Sequence, residues 1–134
     1  MKQIRKNVFE TNSSSTHSIT MCLESEYTAW NNGQMWLYNT SWKRPKDRSL
    51  FFNWEDIIKF IREVLDCDEE TINEIIEAKN NKDEGRLEDL LADEDFYSAS
   101  KYDCAYEEYE FFEESITTPS GDKIIAFGYY GENY

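Results

Sequence analysis

The stretch that decides the fold runs from Asn53 to Leu91 and reads NWEDIIKFIREVLDCDEETINEIIEAKNNKDEGRLEDLL. Apolar side chains recur at helical spacing from Trp54 to Leu65, with charged side chains on the opposite face. Asn53 precedes them as a good N-cap, and Asp68 and Asp83 precede two further apolar stripes in the same way. The stretch therefore predicts two or three central helices.

Strand patterns lie on both sides of these helices. Ser18 to Leu23 alternates apolar and polar residues, as in a half-buried strand, and Gln34 to Thr40 alternates with aromatic residues. Tyr106 to Thr118 and Lys123 to Tyr130 are typical of a hairpin about a turn at residues 119–122. We expect an α+β fold in which an antiparallel sheet of N- and C-terminal strands is covered by two or three central helices.

The length and composition fit one domain. A chain of 134 residues, of which 16% are aromatic, is long enough and apolar enough to bury one core. We expect a single domain over residues 1–134, with strands and a basic loop at 1–53, helices at 54–95 and a C-terminal hairpin at 106–131. Ser98 to Asp103 is predicted to be a loop.

The charge is distributed unevenly along the chain. Asp66 to Glu114 holds nineteen acidic and four basic residues, a net charge of −15, whereas residues 1–53 carry +3 and the whole chain carries −14. Such a chain is repelled by nucleic acid and by anionic membranes, and it is attracted to basic surfaces. We therefore expect a basic protein surface as its partner, and neither nucleic acid nor a membrane.

The acidic half also suggests where that partner binds. If Tyr106 to Thr118 is a strand, Glu108, Glu110 and Glu114 share a face at ~6–7 Å spacing, which follows from the rise of ~3.3 Å per residue. Phosphates follow one another along a nucleic-acid strand on the same scale, so the row could imitate a nucleic-acid backbone. The alternative is a solvated acidic face without a partner. The predicted partner-binding residues are Tyr106, Glu107, Glu108, Tyr109, Glu110, Phe112, Glu113 and Glu114.

A second hypothesis rests on the Ser-rich segment from Glu10 to Ser18, which is predicted to be a turn or loop. Its hydroxyl and backbone N–H groups could form an anion-binding nest for a nucleotide or a phosphate. A serine beside the only histidine could also act as a nucleophile. The alternative is a turn with an incidental histidine. The possible ligand-binding residues are Asn12, Ser13, Ser14, Ser15 and His17.

A third hypothesis concerns the basic loop from Trp42 to Arg48. Its four basic residues lie close in sequence to Trp30, Trp36 and Tyr38, a combination that can hold single-stranded nucleic acid. The overall charge opposes that function, and the alternative is a surface loop that pairs with acidic groups.

We expect no metal, no cofactor and no enzymatic activity. Asp66 to Glu77 resembles a calcium loop superficially, but Thr71 stands where such a loop needs glycine. The three cysteines form no C-x-x-C pair. No signal peptide and no apolar run of ~20 residues is visible, so a cytoplasmic location in a host bacterial cell is expected.

The opening segment KNVFETNSSSTHS, Lys6 to Ser18, resembles the start of small, mostly uncharacterised proteins of phages and of Firmicutes and their prophages. The resemblance implies a phage setting. In that setting the size and charge of the chain resemble those of anti-CRISPR inhibitors that act as DNA mimics. The implied function is inhibition of a host defence nuclease such as Cas9, through binding to its basic nucleic-acid groove.

Overall fold

A computed structural model describes residues 4–5, 15–40, 45 and 48–132, with side chains described between residues 19 and 130. These residues form seven strands and five helices. The strands are β1 (Ile4–Arg5), β2 (Ser15–Leu23), β3 (Trp36–Tyr38), β4 (Phe51–Phe52), β5 (Phe96–Tyr97), β6 (Glu110–Thr117) and β7 (Lys123–Glu132). The helices are α1 (Glu24–Asn31), α2 (Trp54–Glu63), α3 (Glu69–Asn80), α4 (Glu84–Asp93) and α5 (Ala99–Ala105).

The predicted α+β class is confirmed, and the strands form two sheets rather than one. The chain divides into two compact units. Unit 1 comprises residues 1–28 and 102–134, and unit 2 comprises Ala29–Lys101. The prediction of one domain over residues 1–134 stays a prediction.

Unit 1 is built on a four-stranded sheet in the order β1-β6-β7-β2. β7 pairs antiparallel with β2 from Ser15↔Glu132 to Leu23↔Ile124, and it pairs antiparallel with β6. β1 pairs with β6 in parallel. The turn between β6 and β7 lies at the predicted residues, with Gly121 at φ 93°, a conformation that glycine adopts without strain.

Strand β2 is half-buried, but its polar side faces the core. Thr20 and Cys22 are buried, whereas Met21 and Leu23 are 62% and 48% exposed. The polar side is buried because it packs against residues that are distant in the sequence. Thr20 lies opposite Phe127, whose ring is covered by Tyr27 of α1 at 5.0 Å and by Tyr102 of α5 at 5.9 Å. The alternation of polar and apolar residues within β2 identifies the two faces of the strand. The packing of the rings of Phe127, Tyr27 and Tyr102 decides which of these faces is buried.

Unit 2 has its own core between helices α2–α4 and the three-stranded sheet β4-β3-β5. Four aromatic rings pack at its centre. Phe52 lies 5.0 Å from Phe60 and 5.1 Å from Phe96, and Tyr38 lies 4.8 Å from Phe96, between ring centroids. These separations are typical of tilted and edge-to-face aromatic pairs. The apolar stripes of the three predicted helices therefore pack on a second sheet, whereas a single sheet was predicted.

Each predicted N-cap is confirmed. The side chains of Asn53, Asp68 and Asp83 accept hydrogen bonds from the backbone N–H three residues later, at 2.8, 2.9 and 3.3 Å. These bonds satisfy N–H groups that have no partner within the helix, so they fix where α2, α3 and α4 begin.

Replacing Asn53 by Ala should lower the free energy of unfolding by about 1 kcal/mol, because the N-terminus of α2 loses its side-chain acceptor. Urea denaturation measures the change. The control is Asn73→Ala, an exposed position within α3, which should be neutral or slightly stabilising because Ala is the better helix former. Equal losses from both variants would show that the cap bond contributes nothing.

The prediction of a loop from Ser98 to Asp103 is wrong from Ala99 onward, because α5 begins at that residue. The Ser98 hydroxyl accepts a hydrogen bond from the backbone N–H of Lys101 at 3.1 Å and so acts as an N-cap. Tyr102 and Tyr106, four residues apart, then pack their rings 5.0 Å from each other. This helix shortens the following strand, which begins at Glu110 rather than at Tyr106.

Candidate partner-binding surface and tyrosine cavity

The predicted partner-binding residues lie where α5 passes into β6. Tyr106 donates its backbone N–H to the Tyr102 carbonyl at 3.2 Å, and Tyr109 donates to the Tyr106 carbonyl at 3.0 Å. Residues 106–109 therefore form a turn, and the other four predicted contact residues lie in β6. The predicted single strand of acids is a turn followed by a strand.

This division changes the predicted row of acids. Glu110 and Glu114 share one face of β6, as predicted, but Glu108 lies in the turn and outside the row. Glu113 is on the opposite face, where its carboxylate accepts a hydrogen bond from the Tyr27 hydroxyl.

The prediction of Phe112 as an aromatic contact residue is corrected. Phe112 shares the face of Glu110 and Glu114 but is only 1% exposed, so it belongs to the core. Its strand lies inside the sheet, between β1 and β7. Tyr106 and Tyr109 are half-buried.

The negative charge of the acidic half is at the surface. None of the nineteen acids between Asp66 and Glu114 is buried, and thirteen of them are exposed, among them Glu107 and Glu108. Basic side chains offset only part of this negative charge, because the same stretch holds four Lys and Arg residues against nineteen acids. On the helices of unit 2, Glu69, Glu77 and Asp89 form ion pairs of 3.8, 3.8 and 2.7 Å with Arg62, Arg86 and Lys101.

A cavity of about 440 Å³ lies next to the acidic turn, within unit 1. We call it the tyrosine cavity, because four of its eight lining residues are tyrosines. Its lining residues are Tyr102, Asp103, Cys104, Tyr106, Glu107, Tyr109, Phe111 and Tyr129. We call its buried lining residues, Tyr102 and Phe111, the floor of the cavity, and its exposed lining residues, Asp103, Cys104 and Glu107, the mouth.

The rings of the cavity hold one another in place. Tyr106 stacks on Tyr129 with 3.9 Å between centroids and 14° between planes, and Tyr109 lies 5.2 Å from Tyr129. Burial raises the pKa of the Tyr102 hydroxyl well above its ordinary value, and the neighbouring Tyr129 and Tyr106 add to the shift. The Tyr102 hydroxyl is therefore neutral at physiological pH, and the negative charge of the cavity comes from its carboxylates.

Two of the cavity's tyrosines, Tyr106 and Tyr109, were predicted as partner-binding residues, whereas Tyr102 and Tyr129 were not. A local signal existed for Tyr102, which lies one helical turn before Tyr106. Tyr129 joins them through the pairing of β6 with β7, which places it opposite Phe111. No local pattern indicates that contact.

The Ser-rich segment is only partly described. Asn12, Ser13 and Ser14 lie outside the described residues. Ser15 and His17 belong to β2, opposite Glu132 and Tyr130 of β7. The predicted turn is therefore wrong from Ser15 onward, because a nine-residue pairing with β7 extends the strand back to that residue. Ligand binding by this segment stays a prediction.

The basic loop is described only at Pro45 and Arg48. The Arg48 guanidinium lies 3.6 Å from the centroid of the Phe52 ring, pairs with Asp56 at 3.3 Å and donates a hydrogen bond to the Phe51 carbonyl at 2.9 Å. These contacts give Arg48 a structural role in unit 2. Binding of single-stranded nucleic acid by the rest of the loop stays a prediction.

The three thiols differ in exposure, and this difference offers a probe for the cavity. Burial, with the nearby Glu26, raises the pKa of Cys22 to about 12. Burial also raises the pKa of Cys67 to about 12, helped by the bond of 3.0 Å that its Sγ donates to Glu94. Cys104 is exposed at the mouth of the cavity.

We expect iodoacetamide at pH 8 to alkylate Cys104 more than about tenfold faster than Cys22 and Cys67, since the thiolate is the reactive form and a raised pKa removes it. Mass spectrometry of the digested protein at timed intervals measures the three rates. Denatured protein is the control, and there the three thiols should react alike. Alkylation of all three at one rate in the folded protein would contradict this assignment.

No protein-family model, curated protein or solved structure matches the chain. None of the described helices has the length and hydropathy of a membrane-crossing segment. Among the described residues, no group of three His, Cys, Asp or Glu side chains is placed to hold a metal ion.

Proposed function

We propose that this protein is a non-enzymatic inhibitor that occupies the basic nucleic-acid groove of another protein by imitating DNA. The observation that carries the proposal is that all nineteen acids of Asp66–Glu114 remain at least partly exposed. A surface with many exposed carboxylates can pair with the cations of a basic groove, as a phosphate backbone does.

The acidic turn and the start of β6 are the proposed contact region. Glu107 and Glu108 are exposed on the turn, and Glu110 and Glu114 follow on one face of the strand. Acids at several positions along one path can replace successive phosphates in a groove. The long-range field of a chain with net charge −14 would also speed its encounter with a basic partner.

The target class is a further part of the proposal. The resemblance of Lys6–Ser18 to the start of phage and prophage proteins supports a host defence nuclease, such as Cas9, as the partner. The protein would then act in the cytoplasm of the host bacterium, where it would compete with DNA for the basic groove of that nuclease.

Competition with DNA provides the test. The immobilised protein is exposed to a bacterial lysate, and the captured proteins are then washed with a DNA duplex or with an equal concentration of dextran. We expect a nucleic-acid-binding protein that the duplex releases and dextran does not. Capture of nothing, or of proteins that the duplex fails to release, would contradict DNA mimicry.

The affinity of the complex should fall steeply with salt. Charge pairs at an interface are screened over about 10 Å at 0.1 M salt and about 3 Å at 1 M. Between these concentrations we expect the dissociation constant to rise at least about 100-fold, because most proposed contacts join opposite charges. Titration calorimetry with the captured partner measures it. An affinity that does not change with salt would indicate an apolar interface instead.

A further inference from the structure

The tyrosine cavity combines two features that are usually found where a cation is bound. Its walls are aromatic, with Tyr102, Tyr106, Tyr109, Tyr129 and Phe111 around one space. Aromatic faces attract cations through their quadrupole, and the attraction increases when the cation is removed from water. The stacked pair Tyr106–Tyr129 fixes part of this wall before any ligand arrives.

The charge at the mouth of the cavity selects for the same ligands. Asp103 and Glu107 are exposed there, while the Tyr102 hydroxyl on the floor stays protonated. Anionic ligands would be repelled by these carboxylates. A cation could place its apolar part against the rings and its charge near the carboxylates.

Among biological cations, arginine fits this arrangement best. Its planar guanidinium stacks on aromatic rings and donates paired hydrogen bonds to carboxylates, whereas the lysine ammonium is a compact and strongly hydrated charge. A space of about 440 Å³ lies within the range of ligand sites in proteins and admits one long side chain.

We propose that the tyrosine cavity binds the guanidinium of an arginine side chain that projects from the partner's basic groove. The inference rests on the proposed function for the source of that arginine, and it deepens it by naming the side chain that is bound. The acids of the turn and of β6 would meet the groove as a charged surface, and the cavity would hold one arginine in a fixed place. Salt would weaken the first contact more than the second.

The experiment compares two small probes that differ in charge. N-acetyl-arginine amide and N-acetyl-citrulline amide are titrated into the full-length protein at constant ionic strength, and citrulline is the neutral analogue of arginine. Two readouts are followed, the proton chemical shifts of the tyrosine rings and the rate at which iodoacetamide alkylates Cys104. We expect saturable arginine binding in the millimolar range that protects Cys104, and binding of citrulline at least about tenfold weaker.

Matched variants locate the binding. Glu107→Gln should weaken arginine binding several-fold, whereas Glu24→Gln removes an equal charge from an exposed position of unit 1 outside the cavity and the contact region and should not. Tyr109→Leu should abolish protection of Cys104, and Tyr109→Phe should retain it because the ring remains. Circular dichroism confirms that each variant is folded.

The possible results separate this proposal from the proposed function. Equal binding of the two probes, no saturable arginine binding, or unchanged binding in Glu107→Gln and Tyr109→Leu would each overturn the arginine site. None of these results depends on a macromolecular partner. An arginine site in a protein that captures no DNA-releasable partner would support the cavity and contradict only the DNA mimic.

Discussion

Reversing Glu108, Glu110 and Glu114 to Lys should weaken partner binding at least about 100-fold, which corresponds to about 2.7 kcal/mol. In the proposed complex each of these side chains faces a basic groove, so reversal replaces attraction by repulsion. Losses of about 2–5 kcal/mol are usual when one member of a buried interfacial charge pair is removed. Calorimetry or a DNA-competition assay measures the change.

The matched control reverses Glu69, Glu70 and Glu74 on α3. It changes the net charge by the same amount, but it alters a helix surface where Glu69 already pairs with Arg62 at 3.8 Å. We expect less than a tenfold loss, through the long-range field alone. Equal losses from the two triple variants would mean that net charge matters and that the proposed contact region is wrong. No loss from either would end the DNA-mimic hypothesis.

Replacing Phe52 by Ala should lower the free energy of unfolding by about 3–5 kcal/mol. Phe52 is completely buried, packs against the rings of Tyr38, Phe60 and Phe96, and lies beneath the Arg48 guanidinium. The substitution would remove apolar area and leave a cavity that surrounding rings cannot fill. Since whole domains are stable by about 5–15 kcal/mol, the variant should be near its limit of folding.

Chemical denaturation of the Phe52 variant measures this loss, with Val64→Ala as the control in the same unit. Val64 is 51% exposed, so its truncation should change stability by no more than about 0.5 kcal/mol. A loss below about 1.5 kcal/mol for Phe52→Ala would contradict the central position of this ring in unit 2.

The same measurement tests the prediction of one domain. All four tryptophans lie in the sequence range of unit 2, so their fluorescence reports on that unit, whereas far-ultraviolet circular dichroism reports on both. If residues 1–134 form one cooperative domain, the two signals should change at the same denaturant concentration. Separate transitions would show two domains.

Features with a local cause were predictable from the sequence. The N-caps Asn53, Asp68 and Asp83 act within one turn, and Gly121 lies within a four-residue turn, so the central helices and the last hairpin could be located. Helix α5 also has local signals, the Ser98 cap and the spacing of Tyr102 and Tyr106, which the polar composition of the segment obscured.

Features with a distant cause were not predictable. Which face of β2 is buried depends on Phe127, Tyr27 and Tyr102, which come from three other elements. The tyrosine cavity depends on Tyr129, which lies 23 positions after Tyr106 and stacks on it. Phe112 lies on the same face of β6 as Glu110 and Glu114, so the alternation in the sequence does not indicate that it is buried. Its burial follows from the position of β6 inside the sheet. A single sequence does not specify such pairings.

The outer strand β2 has a practical consequence for handling the protein. It holds nine residues without a charged residue or a proline, it lies at the edge of its sheet, and no described strand covers its outer side. Strands of this kind tend to pair with other chains. Each copy has a net charge of −14, and the resulting repulsion between copies opposes such pairing. Salt screens this repulsion, as it screens the attraction to a basic partner. Concentrated protein would therefore tend to self-associate at high salt, whereas its negative charge would keep the copies apart at low salt.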